Sequence, residues 1–117
     1  MWRVEFTDEF GEWWKRLDDS VQESIDFSVS LVERYGPALG RPHADSVAGS
    51  RHNLKELRVQ HRGKPYRIFF AFDPRRSAIL LIGGCKSGDR RFYKRMIPLA
   101  DDLYDLYLAE LKKEGLI

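Results

Sequence analysis

Between residues 54 and 84 the chain reads LKELRVQ, HRGK, PYRIFFAF, DPRR, SAILLIGG: three apolar-rich runs of strand length separated by two four-residue polar turns. Enrichment in Val, Ile, Phe and Tyr favours strands over helices, and connections this short can join only antiparallel neighbours. An antiparallel meander at the centre of the chain is therefore the constraint that the flanking segments must satisfy.

Those flanks change period. WRVEF near the start alternates large apolar with charged residues, as a half-buried strand does. Thr7 then caps a helix over about 8–17, with Asp8 and Glu9 in its first turn and Phe10, Trp13, Trp14 and Leu17 as the apolar face. Ser20-Val21-Gln22-Glu23 fits a capping box, after which Val21, Ile25, Val29 and Val32 recur at helical spacing until Gly36-Pro37. Residues 36–53 show no sustained period and read as a long loop. From Pro98, suited to a first helical turn, Leu99, Leu103, Leu106, Tyr107 and Leu111 share one face, and Gly115 follows Lys112 and Lys113 as a stop. The order is β-α-α-β-β-β-α. It predicts a single α+β domain over residues 1–117, an antiparallel sheet backed by two N-terminal helices with a C-terminal helix.

Several function classes drop out on composition. With 117 residues, 43% of them hydrophobic, the chain buries roughly two thirds of its unfolded surface without staples. Its single cysteine, Cys85, closes no internal disulfide, and no Cys/His spacing offers a zinc site, so the expectation is a reducing cytoplasm and no metal or cofactor. The longest apolar runs, IFFAF and AILLI, are strand-sized and predict no membrane segment. The net charge of +2 hides a strong asymmetry, because residues 51–95 hold 13 Lys/Arg against 3 Asp/Glu. Such a block suits a polyanion or an acidic protein.

Strand periodicity indicates where some of these cations point. Tyr66, Ile68, Phe70 and Phe72 share one face, and Arg67, Phe69 and Ala71 the other. Leu57 and Val59 join the core, which leaves Glu56 and Arg58 beside Arg67 on the opposite surface, where an exposed ion pair is worth only ~0–1 kcal/mol. The third strand ends at Gly83-Gly84 and delivers Lys86, then Arg90, Arg91, Lys94 and Arg95 around Phe92 and Tyr93. Converging guanidiniums suit a phosphate, glycines let backbone approach a ligand, and an outward Tyr93 can stack a base. Lysine and tyrosine are poor general bases near neutrality unless repulsion in a cationic cluster lowers their pKa. His52 and His61 titrate more conveniently, with His43 deep in the loop, but a lone loop histidine is more often a surface residue.

The ordered set NLKELR, YRIFFAFD, LLIGG-x-K-x-GDRRFY and IPLADDLYDLYL resembles the RelE/HigB-type toxins of bacterial toxin–antitoxin modules, closest to the phage-derived, HigB-like branch of the RelE/ParE superfamily, over about residues 1–113. Relatives often carry an acid where this chain has Cys85. The resemblance implies a RelE-like fold and a cytoplasmic type II toxin, a metal-independent, ribosome-dependent endoribonuclease that cuts translated mRNA by 2′-hydroxyl attack. It further implies a small helix-turn-helix antitoxin, HigA-like, as partner, alongside the ribosome and mRNA. Arg67, Lys86 and Tyr93 match the family's catalytic positions, and Arg58 joins them from the strand geometry. Lys55, Arg62, Lys64, Arg90, Arg91, Lys94 and Arg95 would hold RNA by charge. Two other readings stand beside it: a ParE-like toxin that inhibits DNA gyrase without cutting RNA, and a binder of nucleic acid or acidic protein with no chemistry.

Overall fold

The computed structural model describes residues 1–117. Its elements are β1 (Arg3–Phe6), α1 (Asp8–Lys15), α2 (Asp19–Tyr35), a short 3-10 turn (Gly36–Ala38), β2 (Ala44–Ser46), β3 (Lys55–His61), β4 (Lys64–Phe72), β5 (Ser77–Cys85) and α3 (Phe92–Lys113). The expected meander is present as β3, β4 and β5, each antiparallel to the next. The sheet has five strands in the order β1-β5-β4-β3-β2, with β1 parallel to β5 at one edge and β2 antiparallel to β3 at the other. The helices α1 and α2 therefore carry the chain from one edge of the sheet to the other. The added strand β2 lies inside the stretch that reads as loop; three residues are too few to display a period.

Thr7 caps α1 as expected. Its Oγ1 accepts from the Phe10 amide at 3.0 Å and donates to the Leu81 carbonyl at 2.7 Å, fastening the helix start to β5. The capping box at Ser20 does not form. α2 begins two residues earlier, with Asp18 at the cap position. The Ser20 hydroxyl instead meets His61 Nε2 at 3.3 Å, and Gln22 donates to the Trp14 carbonyl at 2.8 Å, so tertiary partners displaced the local ones.

α3 also departs from expectation, beginning at Phe92 and carrying Pro98 inside it. Proline deletes one helical hydrogen bond, to the carbonyl four residues back. Lys94 and Pro98 are both exposed, so that carbonyl stays near water. The extra turns bury Phe92 and Met96, and burial of two such side chains, about 1.5–3 kcal/mol each, exceeds the lost bond.

The core forms on both sides of the sheet. On one side Phe10, Val21, Ile25 and Val32 of α1 and α2 pack on Leu57, Val59, Ile68, Phe70 and Leu80. On the other, Phe92, Met96, Ala100, Leu103 and Tyr104 of α3 pack on Phe69, Ala71, Ile79 and Leu81. Burial on two faces explains the nearly continuous apolar runs of β4 and β5. It also gives Gly83-Gly84 a structural purpose rather than the ligand-approach role expected from sequence. A Cβ on Gly83 would overlap the Trp13 ring, and one on Gly84 would lie 2.9 Å from the Phe92 ring on the opposite face. No helix is long and apolar enough to cross a membrane.

Candidate active site

The register places Arg58, Arg67 and Gly84 side by side across β3, β4 and β5. Phe92 seats on Gly84, and Tyr93 follows it at the start of α3. Glu56 is on the same face of β3 as Arg58, two residues away. Its carboxylate is the hub of the cluster. Oε1 accepts a 2.6 Å hydrogen bond from the Tyr93 hydroxyl and lies 3.5 Å from Arg67 Nε, while Oε2 accepts from Arg58 Nη1 at 3.2 Å. Arg67 Nη1 donates to the Tyr66 carbonyl at 3.0 Å, and its Nε is buried with no hydrogen-bond partner.

This differs from the exposed ion pair expected from sequence. Arg67 is 4% exposed and Glu56 7%, because α3 starts early enough for Tyr93 to close over them. A pair desolvated in this way depends on its hydrogen bonds to offset the cost of burial.

Lys86 reaches the same cluster from the end of β5, its Nζ 5.1 Å from the centre of the Tyr93 ring, within cation–π range. Burial, and then the hydrogen bond to Glu56, push the Tyr93 phenol above its ordinary pKa, against the opposing influence of Arg67. The lowered pKa that a tyrosine would need to act as a base is therefore absent: Tyr93 is a protonated donor at neutral pH. A polar groove of about 310 Å³, lined by Arg41, Pro42, Arg58, Gln60 and Arg67, opens beside the cluster. Arg41 was missed in the sequence because it lies in the aperiodic stretch before β2. Asp45 holds it at 2.7 Å in an exposed pair.

Arg58, Arg67, Lys86 and Tyr93 are thus brought together, with Glu56 added among them. Lys55 is not, since it shares the face of Leu57 and Val59, opposite Arg58. Arg62 and Lys64 are exposed at the β3–β4 hairpin, where Arg62 (φ 50°) and Gly63 (φ 77°) form a two-residue left-handed turn. Arg90, Arg91 and Lys94 are exposed around the start of α3, and Arg95 is paired with Asp89 at 2.7 Å.

Two histidines have structural partners. His61 sits between the Ser20 and Ser24 hydroxyls at 3.3 and 2.8 Å. His52 meets Asp105 at 2.7 Å and stacks edge-on against Tyr104. His43 lines an adjoining groove. Nowhere do three His, Cys, Asp or Glu side chains gather as metal ligands would.

Comparison with known proteins places these features in context. The family described as phage derived protein Gp49-like matches residues 12–105. A Mycobacterium tuberculosis protein carrying the toxin name HigB3 is 46% identical over 99 residues, 83% of this chain and 85% of that protein. A second from the same organism, named HigB2, is 42% identical over 103 residues, covering 86% of this chain but only 51% of the longer relative. Among solved structures, the isolated E. coli RelE toxin superposes with a TM-score of 0.53 at 13% identity, over 82% of this chain and 96% of that one. The intact E. coli RelBE toxin–antitoxin complex contains a chain matching with a TM-score of 0.51 at 15% identity, over 72% and 95%. At such identities the structures share the fold alone.

Proposed function

The chain belongs to the Gp49-like family of HigB/RelE-type toxins, and from that membership we propose that it is the endoribonuclease of a toxin–antitoxin pair, cutting mRNA on translating ribosomes in the cytoplasm. The observation that carries this reading is the Glu56 carboxylate bridging Arg58, Arg67 and Tyr93 beside a groove that both arginines line.

RNA supplies its own nucleophile. The ribose 2′-oxygen forms a bond to phosphorus, the bond to the 5′-oxygen breaks, and the products are a 2′,3′-cyclic phosphate and a free 5′-hydroxyl. The enzyme needs an acceptor for the 2′ proton, positive charge facing the pentacoordinate phosphorus and a donor for the leaving oxygen. Glu56 is the carboxylate of the cluster; each of its oxygens already accepts one hydrogen bond and keeps a lone pair for the incoming proton. Arg58 and Arg67, lining the groove, neutralise the phosphorane. Lys86, beside the Tyr93 ring, protonates the 5′-oxygen. Tyr93, held protonated, orients Glu56 and offers its ring face to a base or to Lys86. No step requires a metal or a cofactor. Arg62, Lys64, Arg90, Arg91 and Lys94 hold the RNA and ribosomal backbone by charge. The partner is a small helix-turn-helix antitoxin.

Induction in bacteria followed by 5′-end mapping of cellular RNA tests the reading. Cuts within translated regions are expected from the wild type and strongly reduced ones from Lys86→Ala and Glu56→Gln, both scored only if folded by circular dichroism. Intact mRNA accompanied by trapped gyrase–DNA complexes would replace the nuclease with a gyrase poison. Graded, salt-dependent loss of RNA affinity with no cleavage product would leave a simple binder.

A further inference from the structure

Beside the polar groove lies a larger one of about 600 Å³, between α2 and the outer edge of β3. The two share Pro42, Arg58 and Gln60, so the grooves adjoin at the strand edge. Phe27 lines the larger groove and is 62% exposed, an apolar ring on α2 that the core does not use. Apart from Phe27, Val59 and Pro42, the lining is polar, which does not suit the apolar face of a partner helix. It has the composition of a site that stacks one flat group and reads its edge.

We propose that this groove is a nucleobase subsite, taking the base of a nucleotide that flanks the cleaved linkage. The inference rests on the nuclease reading of the Glu56 cluster and adds to it a determinant of where the enzyme cuts. The shared Arg58 ties the two spaces together: a phosphate held there leaves the adjoining nucleotide to turn past Pro42 toward Phe27. Phe27 supplies the stacking face. Along the base edge the Gln60 amide can both donate and accept, and Glu23 on the rim accepts from an exocyclic amine. His61 is fixed by two serine hydroxyls, so the wall it forms is rigid before RNA arrives. A preformed wall discriminates among bases better than a mobile one.

The test pairs two measurements on wild type, Phe27→Ala, Gln60→Ala and a control, Phe6→Ala, an equally exposed phenylalanine at the far edge of the sheet. The first is 5′-end mapping after induction. The second is fluorescence anisotropy with a short single-stranded RNA at fixed salt. Phe27→Ala is expected to weaken RNA binding by roughly fivefold or more, the equivalent of one lost base stack, and to flatten base preference beside the cut. Gln60→Ala should alter which base is preferred. Phe6→Ala should reproduce the wild-type cut profile. A wild-type profile and affinity for both Phe27→Ala and Gln60→Ala would overturn the subsite while leaving the nuclease intact. A wild type that binds the RNA but leaves every transcript uncut would overturn the nuclease reading, and with it the subsite as proposed.

Discussion

Replacing Glu56 with alanine tests whether the cluster is a buried electrostatic unit. The substitution removes the one carboxylate that faces two guanidiniums and a phenol. Arg67 would be left charged with a side chain only 5% exposed and a buried Nε still unpartnered. The Tyr93 hydroxyl would lose its acceptor. Stripping one partner from a buried pair costs about 3–5 kcal/mol, against a total of about 5–15 kcal/mol for a domain of ordinary stability. Glu56→Gln keeps an acceptor for Tyr93 and the side-chain volume, so it should cost less, about 1–3 kcal/mol. Combining Glu56→Ala with Arg67→Met removes the stranded charge, and the double variant should recover much of the loss instead of adding to it. Urea unfolding reads all three as shifts in midpoint at constant slope. A loss below about 1 kcal/mol for Glu56→Ala, or no recovery in the double variant, would refute the claim that these charges depend on one another.

Further expectations concern the scaffold. Gly83→Ala should destabilise by about 1–3 kcal/mol through collision with Trp13, and Gly84→Ala by less because Phe92 is its nearest neighbour at 2.9 Å; urea midpoints give the order, and equal, negligible effects would refute it. Burial pushes the Asp73 carboxyl up, but hydrogen bonds from Tyr107, the Ser77 amide and Arg75 outweigh that and hold it below the usual aspartate range. Its contribution is therefore present above pH ~4 and is lost as pH falls through its lowered pKa, so the stability gap between wild type and Asp73→Asn should narrow below pH 4 in a pH series of urea melts. Asp101 is buried and accepts from the Ser50 hydroxyl at 2.6 Å and the Arg51 amide at 3.0 Å. Asp101→Ala should release that loop, seen as faster hydrogen exchange at Arg51.

Strand periodicity made much of the fold legible in the sequence. The meander from 54 to 84, the Thr7 cap and the apolar faces of α1 and α2 each arise from neighbours a few residues apart, which a single sequence displays directly. β2 was hidden because its pairing with β3 supplies what three residues cannot. The start of α3 was hidden because Pro98 is the kind of residue that opens a helix, and only the sheet beneath reveals that Phe92 and Met96 have somewhere to pack. At the site, period 2 placed Glu56, Arg58 and Arg67 on one face correctly. Charge on a strand suggests exposure, yet Arg67 is covered by a residue 26 positions later in the chain. Glu56 was visible as a surface partner for arginine but not as the hub, since its shortest bond, to Tyr93, crosses from β3 to α3.

One turn of helix accounts for both the core and the site. The face of the sheet that carries Arg58 and Arg67 is the same face that carries Phe69 and Ala71, so nothing in the strands alone decides where apolar packing stops and polar chemistry starts. That boundary is set by where α3 begins. Had the helix started at Pro98, Phe92 would have no fixed seat on Gly84, Tyr93 would not reach Glu56, and Arg67 would stand in water as an ordinary surface cation. Beginning at Phe92, the first turn buries one aromatic and delivers the next onto the carboxylate. The glycine pair makes this entry possible by clearing space for Trp13 on one face and Phe92 on the other. The residues that fit the helix onto the sheet are thus the same ones that assemble the cluster, and a change at Gly84 should disturb the chemistry even though its backbone need never touch RNA.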